Sequence, residues 1–312
     1  MKHIYNKDKL DTFAHHKSKK EMNKTKGIVL ALISSGTFGL IALFSIPLLN
    51  AGMHAPSILF YRCLIAATLL AIICLIRKKG FKISPRTAFQ LLMMGMLYTM
   101  TAMGLIYSYT YISSGVSTTI HFLYPVVVAC MMIIFYKEKL SRNLLFAAIL
   151  SLAGVALLCW SDSGFISTKG LLAVLMTVCT YSIYIVELNR PNIRNLEPEI
   201  ITFYVMLFGC FIFSVFSYST TGIELVPDVH SLLNLIGLAV FATVLSNLTL
   251  VSAVKYAGST TTSILGSLEP VVATTVGVFH FDEPFGWNSL FGLLIIIGAV
   301  LLVILNDKKR DI

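Results

Sequence analysis

Glu269 stands at the centre of the run from Ser259 to Phe279, 21 residues that hold no other charge. A hydrocarbon core about 30 Å thick is crossed by roughly 20 helical residues. The run therefore reads as a membrane span with a carboxyl group near the bilayer midplane. Burying a charge there costs about 2.5–3.5 kcal/mol on insertion scales, so an intramembrane acid is a functional hypothesis by default. Pro270 follows at once, and its ring removes one backbone donor and frees the carbonyl of Gly266. Two readings stand for Glu269. One is a protonated acid hydrogen-bonded inside a helix bundle; the other is a group that binds a proton or a cationic ligand.

Arg62 is the second charge inside an apolar run, roughly six residues or about 9 Å from the outer end of its helix. It either snorkels to the outer interface or pairs with Glu269 or with an anionic ligand group. His121 lies one turn before Pro125 and reads equally as a satisfied buried histidine or a proton relay. Tyr98, Tyr107, Tyr181, Tyr184, Asn247 and Thr37 add polar groups within spans rather than at the interfaces. Glu187 sits near the inner end of its run, as an interface or gate residue. The six cysteines, 63, 74, 130, 159, 179 and 210, all fall in apolar stretches without CxxC or Cys/His spacing. They read as packing residues, and neither a metal nor a cofactor is implied.

These residues sit in a duplicated chain. Residues 111–140, YISSGVSTTIHFLYPVVVACMMIIFYKEKL, align without gaps to 256–285, YAGSTTTSILGSLEPVVATTVGVFHFDEPF. Tyr111 meets Tyr256, Ser114 meets Ser259, Leu123 meets Leu268, Pro125 meets Pro270 and Glu138 meets Glu283. The same shift continues through Asn143 and Asn288, Phe146 and Phe291, Val155 and Val300. A shift of 143 pairs Gly27 with Gly170, Thr37 with Thr180 and Phe38 with Tyr181. The twin of Glu269 is Tyr124, and the region twinned with Arg62 shows Tyr204 instead, so the candidate site is asymmetric within a symmetric frame. The doubled hydroxyl clusters (Ser113, Ser114, Ser117, Thr118, Thr119 and Ser259 to Ser263) belong to the architecture, through capping and close helix packing. Glu138 and Glu283 stand where an acid complements a helix dipole.

Composition agrees with a membrane frame. Of 312 residues 56% are hydrophobic and 12% charged, with a mean hydropathy of +0.82, which excludes an ordinary soluble domain. Ten apolar runs are expected as helices, at about 27–49, 56–76, 88–109, 113–136, 143–160, 170–188, 200–218, 231–252, 259–279 and 287–305. The first is too long for a signal-peptide core and is expected to stay in the mature chain. Residues 1–26 hold eight lysines, three acids and three histidines and read as a disordered basic tail, with Met22 an alternative start. His15 and His16 in that tail carry no metal reading. With both termini in the cytoplasm, the inner loops and C-terminus hold fourteen Lys and Arg against Lys169 outside, as the positive-inside rule requires. The net charge of +9 is thereby explained without nucleic acid. Five helices per half make the halves antiparallel, so residues 27–160 and 170–305 read as inverted repeats, with 306–312 a short inner tail. Inverted repeats around a midplane site are the architecture of secondary transporters.

The pattern resembles the EamA-like permeases of the drug/metabolite transporter superfamily, from about residue 24 to 305. Pro56 with Arg62, the blocks ending in Pro125 and Pro270, the turns Lys137-Glu138-Lys139-Leu140 and Asp282-Glu283-Pro284, and Gly154 and Gly298 carry the resemblance. It implies an all-α integral membrane carrier of ten helices in two inverted five-helix repeats. A central cavity would be lined by helices 1–4 and 6–9, with helices 5 and 10 at the periphery. It implies a bacterial inner-membrane protein moving a small metabolite, amino acid or amphipathic compound, commonly outward. Glu269, Arg62, Tyr124, His121, Tyr98, Tyr181, Asn247 and Thr37 are the substrate or proton-coupling candidates, and Pro125 and Pro270 the helix kinks. Ala147, Ser151, Gly292 and Gly298 allow tight helix contacts and a homodimer.

Three rivals are distinguishable. A channel or facilitator wants a ring of like polar groups along one path, whereas the candidates here are single and asymmetric. A membrane enzyme acting on lipids wants a paired acid and base, a metal cluster or an activated nucleophile, and the sequence holds no such set. An ATP-driven pump wants a G-x4-G-K-[ST] loop, which does not occur. The carrier reading is the strongest.

Overall fold

Backbone in a bilayer must satisfy its polar groups internally, which an apolar run does by becoming helix. The computed structural model describes residues 23–309 apart from 110, 112–116, 118–119, 140, 159–166, 221 and 282–285. Among these residues all regular structure is helical, and eight helices are long and apolar enough to cross a membrane. We number the elements along the chain: α1 Asn23–Asn50, α2 Ala55–Ile76, α3 Pro85–Tyr109, α4 Tyr124–Tyr136, α5 Arg142–Leu158, α6 Thr168–Glu187, α7 Pro198–Ser219, α8 Val229–Ala257, α9 Ser259–His280 and α10 Trp287–Lys309. The described parts of α4 and α5 are the shorter apolar helices. The N-terminal tail with His15 and His16, residues 113, 114, 118 and 119, Cys159 and the turn bearing Glu283 lie outside the described residues.

The helices pair across the two halves. The most extensive packing joins α2 to α7 and α5 to α10, followed by α3 with α6 and α3 with α7. The pairs α4 with α6 and α9 with α1 also touch, as do α8 with α1 and with α2, and α4 with α9. Small residues allow the closest approach. A Cβ on Gly154 of α5 would lie 2.8 Å from Ile296 Cγ1 and 3.0 Å from the Gly292 carbonyl of α10. Two of the small residues expected at tight contacts, Ala147 and Ser151, are likewise buried within the chain, whereas Gly298 is exposed and faces open space. The outward faces of the helices carry large apolar side chains such as Ile134, Phe135 and Leu301, the surface a lipid environment wants.

Three spans are interrupted near their middles, and a turn precedes α4. α1 turns at Gly39–Leu40, α9 at Gly266–Ser267, and residues 122–123 form a turn before α4. The last two breaks fall at matching places of the duplicated block, one turn or less before Pro125 and Pro270. α8 contains a π-helical turn at Val240–Leu245, an insertion that π segments frequently place at functional sites. These interruptions put backbone polarity where the candidate side chains meet.

Candidate functional site

The break in α9 is built around a carbonyl. A proline at 270 cannot donate to Gly266, and the Gly266 oxygen instead accepts from Ser35 Oγ of α1 at 2.9 Å and from the Glu269 N–H at 3.0 Å. The lost helical bond is thus replaced by a hydroxyl from another span. Space is tight on both sides of the break. A Cβ on Gly266 would overlap the Tyr124 hydroxyl, and one on Gly39 would lie 2.7 Å from the Glu269 carbonyl. Tyr124 Oη donates to the Ser263 carbonyl at 3.3 Å. The duplicated positions 124 and 269 therefore meet, a phenol from one half against the broken helix of the other.

Glu269 is half-buried, and its carboxylate accepts no hydrogen bond among the described residues. Arg62, Tyr124 and Tyr181 lie within its electrostatic reach. The aromatic wall around it is continuous. Tyr124 meets Tyr181 edge-on with ring centroids 4.8 Å apart, and Tyr181 stacks on Tyr184 at 6.1 Å. His121 lies 5.4 Å from Tyr124 and 5.5 Å from Tyr181. Its Nδ1 is 2.9 Å from Thr177 Oγ1. That hydroxyl donates to the Val174 carbonyl at 2.6 Å, so the imidazole Nδ1–H is the donor to Thr177. The buried histidine is satisfied on this side.

Arg62 does not snorkel. Its residue is 4% exposed, its guanidinium lies over the Phe38 ring at 5.8 Å, and its bonds run to the π turn of α8. Nε donates to Thr243 Oγ1 at 2.5 Å and Nη2 to the Ala242 carbonyl at 3.1 Å. No ion pair joins Arg62 to Glu269 among the described residues, although the charges feel one another. Asn247 spends its Nδ2 on the Thr243 carbonyl at 2.9 Å. Tyr98 lies beside Asn247 and Arg62, yet its hydroxyl completes no hydrogen bond; the Tyr184 hydroxyl is likewise unpaired. A single interior region thus holds one acid, one guanidinium, a histidine and four phenols.

Other candidates do not join this cluster. Thr37 is half-buried and turns its hydroxyl to its own helix, at 2.8 Å from the Ile33 carbonyl. Tyr107 is exposed and bonds to Tyr111 at 3.0 Å. Tyr204, in the region twinned with that of Arg62, donates to the Phe81 carbonyl at 2.7 Å, away from the cluster. Glu187 pairs with Arg190 at 2.7 Å. The hydroxyls opening α9 do not cap it, because Gly258 holds the N-cap position without a side-chain bond; they reach other elements instead: Asn189 Nδ2 donates to Ser259 Oγ at 2.5 Å, Ser259 Oγ to the Ile185 carbonyl at 3.1 Å, and Thr260 Oγ1 to Glu138 at 3.0 Å. They tie that end of α9 to α6 and to the turn after α4.

Three contributors escaped sequence reasoning. The π turn with Thr243 is one; its residues VFATVL carry no marker that separates a π insertion from ordinary helix. Ser35 is another, and the third is the reciprocal pair in which Ser34 Oγ donates to the Ser246 carbonyl at 2.9 Å and Ser246 Oγ to the Ser34 carbonyl at 3.1 Å. A helical face of Ser34, Ser35 and Gly39 was the available signal for α1. Among the described residues no group of three His, Cys, Asp or Glu could hold a metal, and the five described cysteines are free thiols.

The comparisons with known proteins agree with this architecture. No curated protein matches the chain. A solved crystal structure, described only as that of a protein, superimposes with a TM-score of 0.78 at 14% identity, covering 92% of this chain and 99% of its own; that likeness concerns the fold. The model of the EamA-like transporter family matches twice, over residues 25–160 and 168–305. Those two matches take in nearly every span and both halves of the duplicated site. The chain belongs to the EamA-like transporter family.

Proposed function

We propose that this protein is a secondary carrier that moves a small metabolite, amino acid or amphipathic compound across the bacterial inner membrane by alternating access. The observation that carries the reading is the meeting of Tyr124 with the broken α9 beside Glu269, where two twinned helices present different chemistry to one interior region. Irregular backbone at membrane depth is tolerated where it is buried in protein or lines a cavity, and discontinuous helices form the substrate sites of many carriers.

Ten spans in two inverted five-helix repeats, with both termini cytoplasmic, complete the proposal. The packing supports it. Exchange of each helix for its twin turns α3 on α6 into α8 on α1, α3 on α7 into α8 on α2, and α4 on α6 into α9 on α1. It leaves α2 on α7, α4 on α9 and α5 on α10 as self-related pairs. An inverted duplication predicts this set, and two such halves can exchange conformations to open the site to either side. We place Glu269 as the proton-binding group, Arg62 as the partner of an anionic group on the substrate, and the tyrosines with His121 as the wall that takes its apolar part. Asn247 supports the π turn, and Pro125 and Pro270 keep the two breaks. Thr37 lies at the edge of the site. Export is the direction that members of the resembling family commonly take, and a homodimer through the exposed faces of α5 and α10 remains part of the proposal.

The test is thermal stabilisation of the detergent-purified protein across a panel of zwitterionic metabolites and lipophilic amines at two pH values. A compound that binds the folded state must raise the melting temperature. A zwitterion hit lost in Arg62→Lys supports the assignment of Arg62, and an amine hit lost in Glu269→Gln supports that of Glu269. Stabilisation that survives both substitutions removes these residues from the site.

A further inference from the structure

Arg62 is held in one orientation by its bonds to α8. A guanidinium has five N–H donors in a rigid plane. Two of its nitrogens are committed to α8, Nε to Thr243 Oγ1 and Nη2 to the Ala242 carbonyl. Nη1 makes no hydrogen bond among the described residues. The Thr243 hydroxyl can accept from Arg62 because its own proton is spent on the Leu238 carbonyl, five residues back, at 2.9 Å. That i−5 bond belongs to the π turn. In an ordinary helical turn the hydroxyl of a threonine reaches i−3 or i−4, as Thr249 does toward Leu245 and Ser246. Asn247 closes the same turn from the other side through the Thr243 carbonyl. Three successive needs of the insertion, the carbonyls of Leu238, Ala242 and Thr243, are thus met by Thr243, Arg62 and Asn247.

We propose that Thr243 and the π turn are the positioning element of the site: they clamp one edge of the Arg62 guanidinium and leave its other edge to receive a carboxylate of the transported molecule. Tyr98 supports the ligand class. It is 5% exposed, stands beside Arg62 and Asn247 and has a hydroxyl without a hydrogen bond, so a second donor remains close to the guanidinium. Phe38 beneath the guanidinium plane limits its tilt. The inference rests on the carrier reading for its purpose, but its geometry is testable without any transported compound.

The experiment is 15N NMR of the arginine-labelled, detergent-purified protein, titrated with formate, the smallest carboxylate. The Arg62 Nε–H signal is identified by its loss in Arg62→Lys. In the wild type it is expected to exchange slowly with water and to shift on formate addition. Thr243→Val keeps shape and removes the hydroxyl. It is expected to speed exchange of that proton and weaken formate binding on the order of tenfold, as the loss of one charge-assisted hydrogen bond implies. Thr243→Ser, which restores the hydroxyl, is expected to recover both readouts, a rescue that a purely space-filling role would not produce. An Arg62 signal and formate response in Thr243→Val equal to the wild type overturn the positioning role. Altered exchange with no formate response in any variant overturns the carboxylate class and leaves the carrier reading, which the thermal panel tests separately, untouched.

Discussion

At the scale of single residues the site is held by groups with little freedom to change. Glu269 has no protein partner for its carboxylate among the described residues, so a glutamine in its place costs no hydrogen bond. We expect Glu269→Gln to insert and fold with an unchanged or higher melting temperature, and to abolish the pH dependence of transport of whichever panel compound proves to bind. A mutant whose transport still tracks pH would remove Glu269 from the proton pathway. Gly266 is constrained by volume. A Cβ there meets the Tyr124 hydroxyl and lies 2.8 Å from the Ser263 carbonyl. Overpacking of this kind costs about 1–3 kcal/mol, so Gly266→Ala should lower the melting temperature. Adding Tyr124→Phe should recover part of the loss, because the phenolic oxygen is one of the two obstructing atoms; no recovery would mean that Tyr124 does not stand where we describe it.

At the scale of elements, the interruptions are repaired by side chains from neighbouring helices. Ser35 serves the break in α9, Arg62 serves the π turn in α8, and Ser34 with Ser246 stitches α1 to α8. Each repair crosses from one half of the chain to the other, so each couples the halves. Such interhelical bonds average about 0.6 kcal/mol by mutational cycles in membranes. Ser35→Ala should therefore destabilise the fold by no more than about 1 kcal/mol, and its signature should be local. Hydrogen–deuterium exchange is expected to rise in peptides covering 266–270 while α2 and α7, whose main packing is on each other, stay protected. A uniform rise across the molecule would show that the bond supports the whole bundle rather than the break.

At the scale of the whole molecule, polar ties close both ends of the bundle. At one end, Arg77 pairs with Glu199 at 2.6 Å and Lys79 with Glu197 at 2.9 Å, and Lys255 Nζ donates to the Leu196 carbonyl. At the opposite end Glu224 holds the loop before α2: it accepts from the His54 N–H at 2.6 Å and meets His54 Nδ1 at 2.5 Å, while Tyr61 donates to its carbonyl at 2.7 Å. Partial burial acts to raise the Glu224 carboxyl, but the hydrogen bonds and charge of His54 outweigh it and hold the group below its ordinary value of 4.5. A carboxyl lowered on folding contributes stability above its unfolded value, and that contribution is lost as pH falls through the lowered one. The wild type should therefore melt above Glu224→Gln at neutral pH, and the gap should close as pH drops below about 4.5. Because the pair is solvent-exposed, the gap should also shrink with salt. A gap that persists in acid would assign the effect to something other than the ionised pair.

Much of this was legible in the chain because the bilayer leaves a sequence few options. A run of about twenty apolar residues must become helix, and the eight long helices and the two shorter ones fall on the expected runs. The shift of 145 paired Tyr124 with Glu269, and the proline after each marked where the helical register breaks, at 122–123 and 266–267. The carbonyl freed by Pro270 was deducible too, since a missing donor is a property of the residue itself. What took that carbonyl was not deducible, because Ser35 lies 231 positions away and a serine on an apolar face looks the same whether it bonds its own helix or another. The turn that receives Arg62 was equally hidden. Ordinary helix and π helix differ by one residue of register, and an apolar stretch such as VFATVL tolerates either until a neighbouring guanidinium supplies the donor that the wider turn requires. Helix content and span position are local consequences of solvation, whereas the partners of the buried polar groups are settled only when the packed helices compete for the same interior.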